Sequence, residues 1–170
     1  MSNFKVKKIT PSIGAEIIGE NIFSNLNPSL CNQIYDVLIE NKVIFFRNQN
    51  LSNDQHIKFA KSFGEIEPPH PVYPHVDNYP EIVLLENDEK RPPDTDVWHT
   101  DVTFRANPPF ASILYSKIIP SSGGDTLWSC LSSVFEALPK EIKSYLENLN
   151  AVHDMGDFRN TFVNNEPIGS

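Results

Sequence analysis

The chain has 170 residues, 39% of them hydrophobic, and carries a net charge of −8. That length suffices for one domain with a sizeable core, and the acidic balance argues against a nucleic-acid partner, whose binders need a cationic face to release counterions. No apolar run exceeds four residues, as in 43–46, which gives no membrane span, and the start MSNFKVKK lacks the apolar core of a secretory signal; the expectation is a soluble, cytoplasmic protein with no membrane partner.

Residues 5–18 alternate loosely and are broken by Pro11 and Gly14, which predicts two short strands in a hairpin-like entry. NPSLCNQIYDVLIEN follows, with Asn27 as N-cap and Pro28 as the first helical residue. Leu30, Ile34, Val37 and Leu38 then share one helical face. VIFFRNQ is β-branched and aromatic and reads as a buried strand. Ser52 and Gln55 have the spacing of a capping box, opening a helix over 53–63 that buries Ile57, Phe59, Ala60 and Phe63 and stops at Gly64. Five prolines between 67 and 80 predict irregular chain there. A strand over 81–85 and a polar, proline-bearing loop over 87–96 lead into VWHTDVTF, residues 97–104, which reads as a strand ended by Pro108 and Pro109. ASILYSKII is the next predicted strand, closed by Pro120, and SSGGDTLW a turn leading into another. Residues 129–138 and 139–149 read as helical, and AVHDM as extended chain, after which the pattern fades. Cys31 and Cys130 have no patterned neighbours and are expected as reduced, partly buried thiols.

The question posed by VWHTDVTF is why a carboxylate stands in a β-favouring run. Residues two apart in a strand point the same way, so His99 and Asp101 would project together. Two readings fit. One is an exposed strand face with a local His–Asp hydrogen bond. The other is a metal site, because two histidines and one carboxylate make the facial triad of non-haem Fe(II) oxygenases. Trp98, Val102 and Phe104 flank the pair, and an ionised carboxylate in apolar surroundings is costly unless paired or metal-bound.

HPVYPH (70–75), WHTDVTF (98–104) and PSSGGDTLW (120–128), in this order, resemble the TauD/TfdA family of Fe(II)- and 2-oxoglutarate-dependent dioxygenases, and the likeness runs from about Ile9 to His153 and Asp154. It implies a mainly β fold with flanking helices: one double-stranded β-helix, or jelly roll, incomplete at its C-terminal end, with residues 1–170 as a single partial domain. It implies His99 and Asp101 as metal ligands for Fe(II), with 2-oxoglutarate as co-substrate and Thr126 contacting its carboxylate. It places His70, Tyr73, Val102 and Phe104 at the substrate. The reaction implied is hydroxylation of a small sulfonate such as taurine with O2, giving sulfite, aldehyde, succinate and CO2. The family commonly forms dimers or tetramers, which leaves homo-oligomerisation open.

Two departures qualify the likeness. Thr95 stands where the taurine enzymes carry an asparagine near the substrate, so another sulfonate or an alkyl sulfate becomes a candidate. The family's distal histidine ligand, its 2-oxoglutarate arginine and its sulfonate arginine lie farther along than the 69 residues that follow Asp101. The expectation is therefore the N-terminal part of a longer oxygenase, or alternatively a non-catalytic fragment or binding module of the same fold. His153 is read as structural, because the family carries an HD there in addition to its distal ligand. A structural zinc site is disfavoured, since neither cysteine has a neighbour at ligand spacing.

Overall fold

A computed structural model of the chain describes residues 4–20, 22–69, 73–88, 90 and 97–154. These fall into two compact units, Met1–Glu65 with Leu114–Leu149, and Ile66–Ile113 with Asn150–Ser170.

The first unit opens with strands β1 (Lys5–Lys8) and β2 (Ala15–Ile18), antiparallel with Lys5 opposite Ile18. The turn between them closes through Ile9 N–H to the Gly14 carbonyl (2.9 Å). Gly14 lies at φ 93°, a region where side-chain-bearing residues are strained. β2 then pairs in parallel with β3 (Ile44–Phe46). A parallel pair requires a crossover, and here a 3-10 turn (Ile22–Ser24) and helix α1 (Pro28–Asn41) supply it. The Asn27 side chain accepts the Leu30 N–H at 3.0 Å, capping α1 as its sequence foretells. At the other end Lys42 turns to φ 70° and donates its N–H to the Leu38 carbonyl. Alternation along β2 buries Ala15 and Ile17, and α1 buries Leu30 and Ile34; Val37 and Leu38 are only half-buried. Cys31 is a buried free thiol and Cys130 a half-buried one.

Helix α2 (Asn53–Lys61) carries the full capping box: Ser52 Oγ accepts the Gln55 N–H (3.2 Å), and Gln55 Oε1 accepts the Ser52 N–H (2.9 Å). Ser52→Ala is expected to lower stability by about 1 kcal/mol. Chemical denaturation would measure it, and an unchanged midpoint would mean that the box does not hold the helix start. Of the predicted inward face only Phe59 is fully buried, the others being half-buried. Its ring packs edge-on against Phe23, Phe46 and Phe63 at centroid distances of 4.9, 5.7 and 4.9 Å.

Two contacts tie the later segment of this unit to the earlier one. Leu51 N–H donates to Tyr115 Oη (3.3 Å), and Trp128 packs edge-on against Phe45 (5.3 Å). Helices α3 (Leu131–Glu136) and α4 (Lys140–Leu146) bury no residue. Leu131, Val134, Ile142 and Tyr145 stand exposed.

In the second unit β4 (His75–Val76) and β5 (Tyr79–Val83) form an antiparallel hairpin with a bulge at His75 and Val76. This corrects the expectation of irregular chain over 67–80. A two-stranded ribbon is all edge, so Pro80 needs no ladder donor. Asn78, at φ 63°, is a residue type that tolerates the left-handed turn.

The other correction concerns strands expected at 97–104, 111–119 and 125–128. None is a strand among the described residues, where the ladders formed are β1–β2, β2–β3 and β4–β5. A strand is defined by its ladder, and these segments have none here. Helical residues accordingly outnumber strand residues in the described chain. No described helix is long and apolar enough to cross a membrane.

Candidate metal centre

VWHTDVTF adopts a turn rather than a strand. Residues 101–104 reverse the chain, the Arg105 N–H bonds the Val102 carbonyl (3.1 Å), and Val102 lies at φ 45°. A β-branched residue rarely occupies that region. His99 and Asp101 come together all the same, by the turn instead of by strand alternation: His99 Nε2 is 3.2 Å from Asp101 Oδ1.

The outer atoms of both side chains are engaged. His99 Nδ1 lies 2.9 Å from the Val97 carbonyl. A carbonyl only accepts, so Nδ1 carries the proton and in the neutral ring Nε2 presents a lone pair. That lone pair faces a carboxylate oxygen, itself an acceptor. Such a contact is favourable only with a proton or a cation shared between the two atoms. On the other side of the carboxylate, Ser112 Oγ donates to Asp101 Oδ2 at 3.1 Å.

The two facing atoms are donors of the kind a divalent metal takes. Ligating histidines characteristically donate their second ring N–H to a carbonyl or carboxylate. Two metal bonds of about 2.1 Å at a right angle hold their donor atoms about 3 Å apart, close to the 3.2 Å observed. The side chains are half open to solvent, 49% for His99 and 59% for Asp101. Among the described residues no third His, Cys, Asp or Glu completes a metal-binding group.

His153 makes a different bond. Its Nδ1 is 2.9 Å from Thr103 Oγ1, which ties it to the turn that carries Asp101. Arg105 pairs with Glu67 at the end of the same turn. Of the substrate candidates, Val102 is half-buried, Phe104 is 38% exposed and Tyr73 is half-buried just before β4; all three belong to the second unit. Thr126 belongs to the first unit, exposed after Gly123 and Gly124, both at positive φ. His70 and Thr95 lie outside the described residues. Sequence reasoning missed Ser112, the Val97 carbonyl and the Thr103–His153 bond. Nothing in a serine eleven residues past Asp101 marks it as a partner of that carboxylate.

Known proteins bear on the same residues. The family described as "Taurine catabolism dioxygenase TauD, TfdA family" matches residues 5–169. An alkylsulfatase from Acinetobacter baylyi is 41% identical over 150 residues, 88% of this chain and 46% of that protein. An alpha-ketoglutarate-dependent sulfate ester dioxygenase from Pseudomonas putida is 39% identical over 149 residues, 87% of this chain and 48% of that one. Among solved structures, a taurine dioxygenase from Burkholderia xenovorans superposes with a TM-score of 0.74 at 38% identity, covering 86% of this chain and 51% of its own. The chain thus spans about half the length of the relatives it matches.

Proposed function

The chain belongs to the TauD, TfdA dioxygenase family, and on that premise we propose that it forms the iron-binding part of a cytoplasmic Fe(II)- and 2-oxoglutarate-dependent dioxygenase of jelly-roll fold. The proposed substrate is a small organic sulfonate, such as taurine, or a sulfate ester. The observation that carries the reading is the His99–Asp101 pair, two facing acceptor atoms whose outer atoms are already engaged. The sulfate-ester branch draws support from the relatives at 41% and 39% identity, named for alkyl sulfate and sulfate ester chemistry, and from Thr95 replacing the asparagine of the taurine enzymes.

In this reading His99 Nε2 and Asp101 Oδ1 hold the metal. Iron held there together with 2-oxoglutarate would supply the oxidising chemistry that hydroxylates the substrate carbon. Thr126 donates its hydroxyl to a carboxylate of 2-oxoglutarate. His70 and Tyr73 donate to the sulfur oxyanion, while Val102 and Phe104 line its carbon stem. Hydroxylation of the carbon bearing the sulfonate or sulfate gives an unstable adduct. It collapses to an aldehyde with release of sulfite from a sulfonate or sulfate from an ester.

The test is product analysis on the protein that carries this segment, supplied with Fe(II), 2-oxoglutarate, O2 and either taurine or a medium-chain alkyl sulfate. Succinate with matching sulfate from the alkyl sulfate, and little sulfite from taurine, is the expected pattern. Sulfite from taurine at equal rate would return the assignment to the sulfonate. A second reading, a non-catalytic module of the same fold, is favoured by the lack of a third ligand among the described residues. Absence of succinate with every substrate would select it.

A further inference from the structure

We propose that Ser112 is a positioning residue for the metal: its hydroxyl pins one oxygen of Asp101 and leaves the other as the single ligand atom beside His99. This inference rests on the metal-binding reading above and deepens it.

A free carboxylate rotates about its last bond and offers either oxygen, or both, to a cation. Here the two oxygens are made unequal. Oδ2 accepts the Ser112 hydroxyl at 3.1 Å, whereas Oδ1 stands 3.2 Å from His99 Nε2. On the histidine side the Val97 carbonyl holds Nδ1 at 2.9 Å and so turns the Nε2 lone pair toward Oδ1. Each ligand is fixed through the atom that does not bind the metal. The consequence concerns coordination number. An oxygenase of this kind leaves three positions open, and a carboxylate gripping through both oxygens would occupy one of them. Ser112 keeps Asp101 to a single metal bond and leaves that position for co-substrate or O2. The serine is exposed and lies outside every helix and strand, so its substitution leaves the core packing unchanged.

The experiment titrates the 170-residue chain with Mn(II), following paramagnetic broadening of its amide NMR signals, a readout sensitive to weak and localised binding. Four chains are compared: the parent, Ser112→Ala, Ser112→Thr and His99→Ala. Broadening centred on residues 97–104 in the parent is expected to need about tenfold more Mn(II) in Ser112→Ala, the lower end of the loss typical for outer partners of metal ligands. Ser112→Thr keeps the hydroxyl and restores the parent titration, which a merely packing role would not produce. His99→Ala abolishes the local effect. Equal titrations of parent and Ser112→Ala overturn the role of Ser112 while leaving the metal pair intact. No local broadening in the parent overturns the metal-binding reading itself, and this proposal with it.

Discussion

Asp101→Ala is expected to abolish metal binding at residues 97–104 at any Mn(II) concentration that broadens the parent. In the protein that carries this segment, 2-oxoglutarate turnover should fall by more than about a hundredfold, because even outer partners of metal ligands are worth roughly 10- to 100-fold. The reasoning is electrostatic. Within the pair, Asp101 is the one group that carries negative charge; without it a lone imidazole, half exposed, faces the cation. Asp101→Asn separates charge from shape. The amide keeps the size of the side chain and an oxygen to accept from Ser112, but it loses the anion. It should therefore fail nearly as badly as the alanine variant. Full binding by Asp101→Asn would mean that the metal is held elsewhere.

The second large effect is structural. Phe59→Ala should destabilise the first unit by about 3–5 kcal/mol, a large part of the total stability of an ordinary domain, about 5–15 kcal/mol. Phe59 is 3% exposed and is the ring that Phe23, Phe46 and Phe63 all meet edge-on. Its removal takes away three aromatic contacts and opens a cavity between the 3-10 turn, β3 and α2. Denaturant unfolding followed by circular dichroism measures the loss. A change below about 1 kcal/mol would show that these rings close over the vacancy, the tolerance expected of a site able to collapse. The contrast with Ser52→Ala, seven residues earlier in sequence, separates burial from capping within one helix.

The parts of this molecule legible in the sequence are those whose causes are local. Asn27 and Pro28 set the start of α1, and Ser52 with Gln55 sets the start of α2, because a cap needs only a side chain and an N–H three residues away. VWHTDVTF was less legible. Its residues favour β structure, yet β propensity reflects fit to a pleated, half-buried surface more than an intrinsic backbone preference. With no ladder partner among the described residues, the segment turns at Val102. The pairing of His99 with Asp101 was anticipated through strand alternation and is realised through that turn. Family membership was legible because three uncommon strings occur in order. Ser112 was not, since contacts between loops depend on the path of the chain and leave no periodic trace. The hairpin at 75–83 was hidden by the prolines before it and by Pro80, which an edge tolerates and a central strand does not.

The first unit is written in two pieces, with residues 66–113 placed between them. During synthesis the piece ending at Glu65 leaves the ribosome well before its complement, which ends at Leu149. At bacterial to eukaryotic elongation speeds of about 5–20 residues per second, that wait lasts roughly 4–17 s. Until residues 115 and 128 follow, the Leu51 amide lacks Tyr115 and Phe45 lacks Trp128. Slowing translation between codons 66 and 149 would lengthen the time the first piece spends without those two partners, so yield of folded protein should respond to codon choice there more than over the first 65.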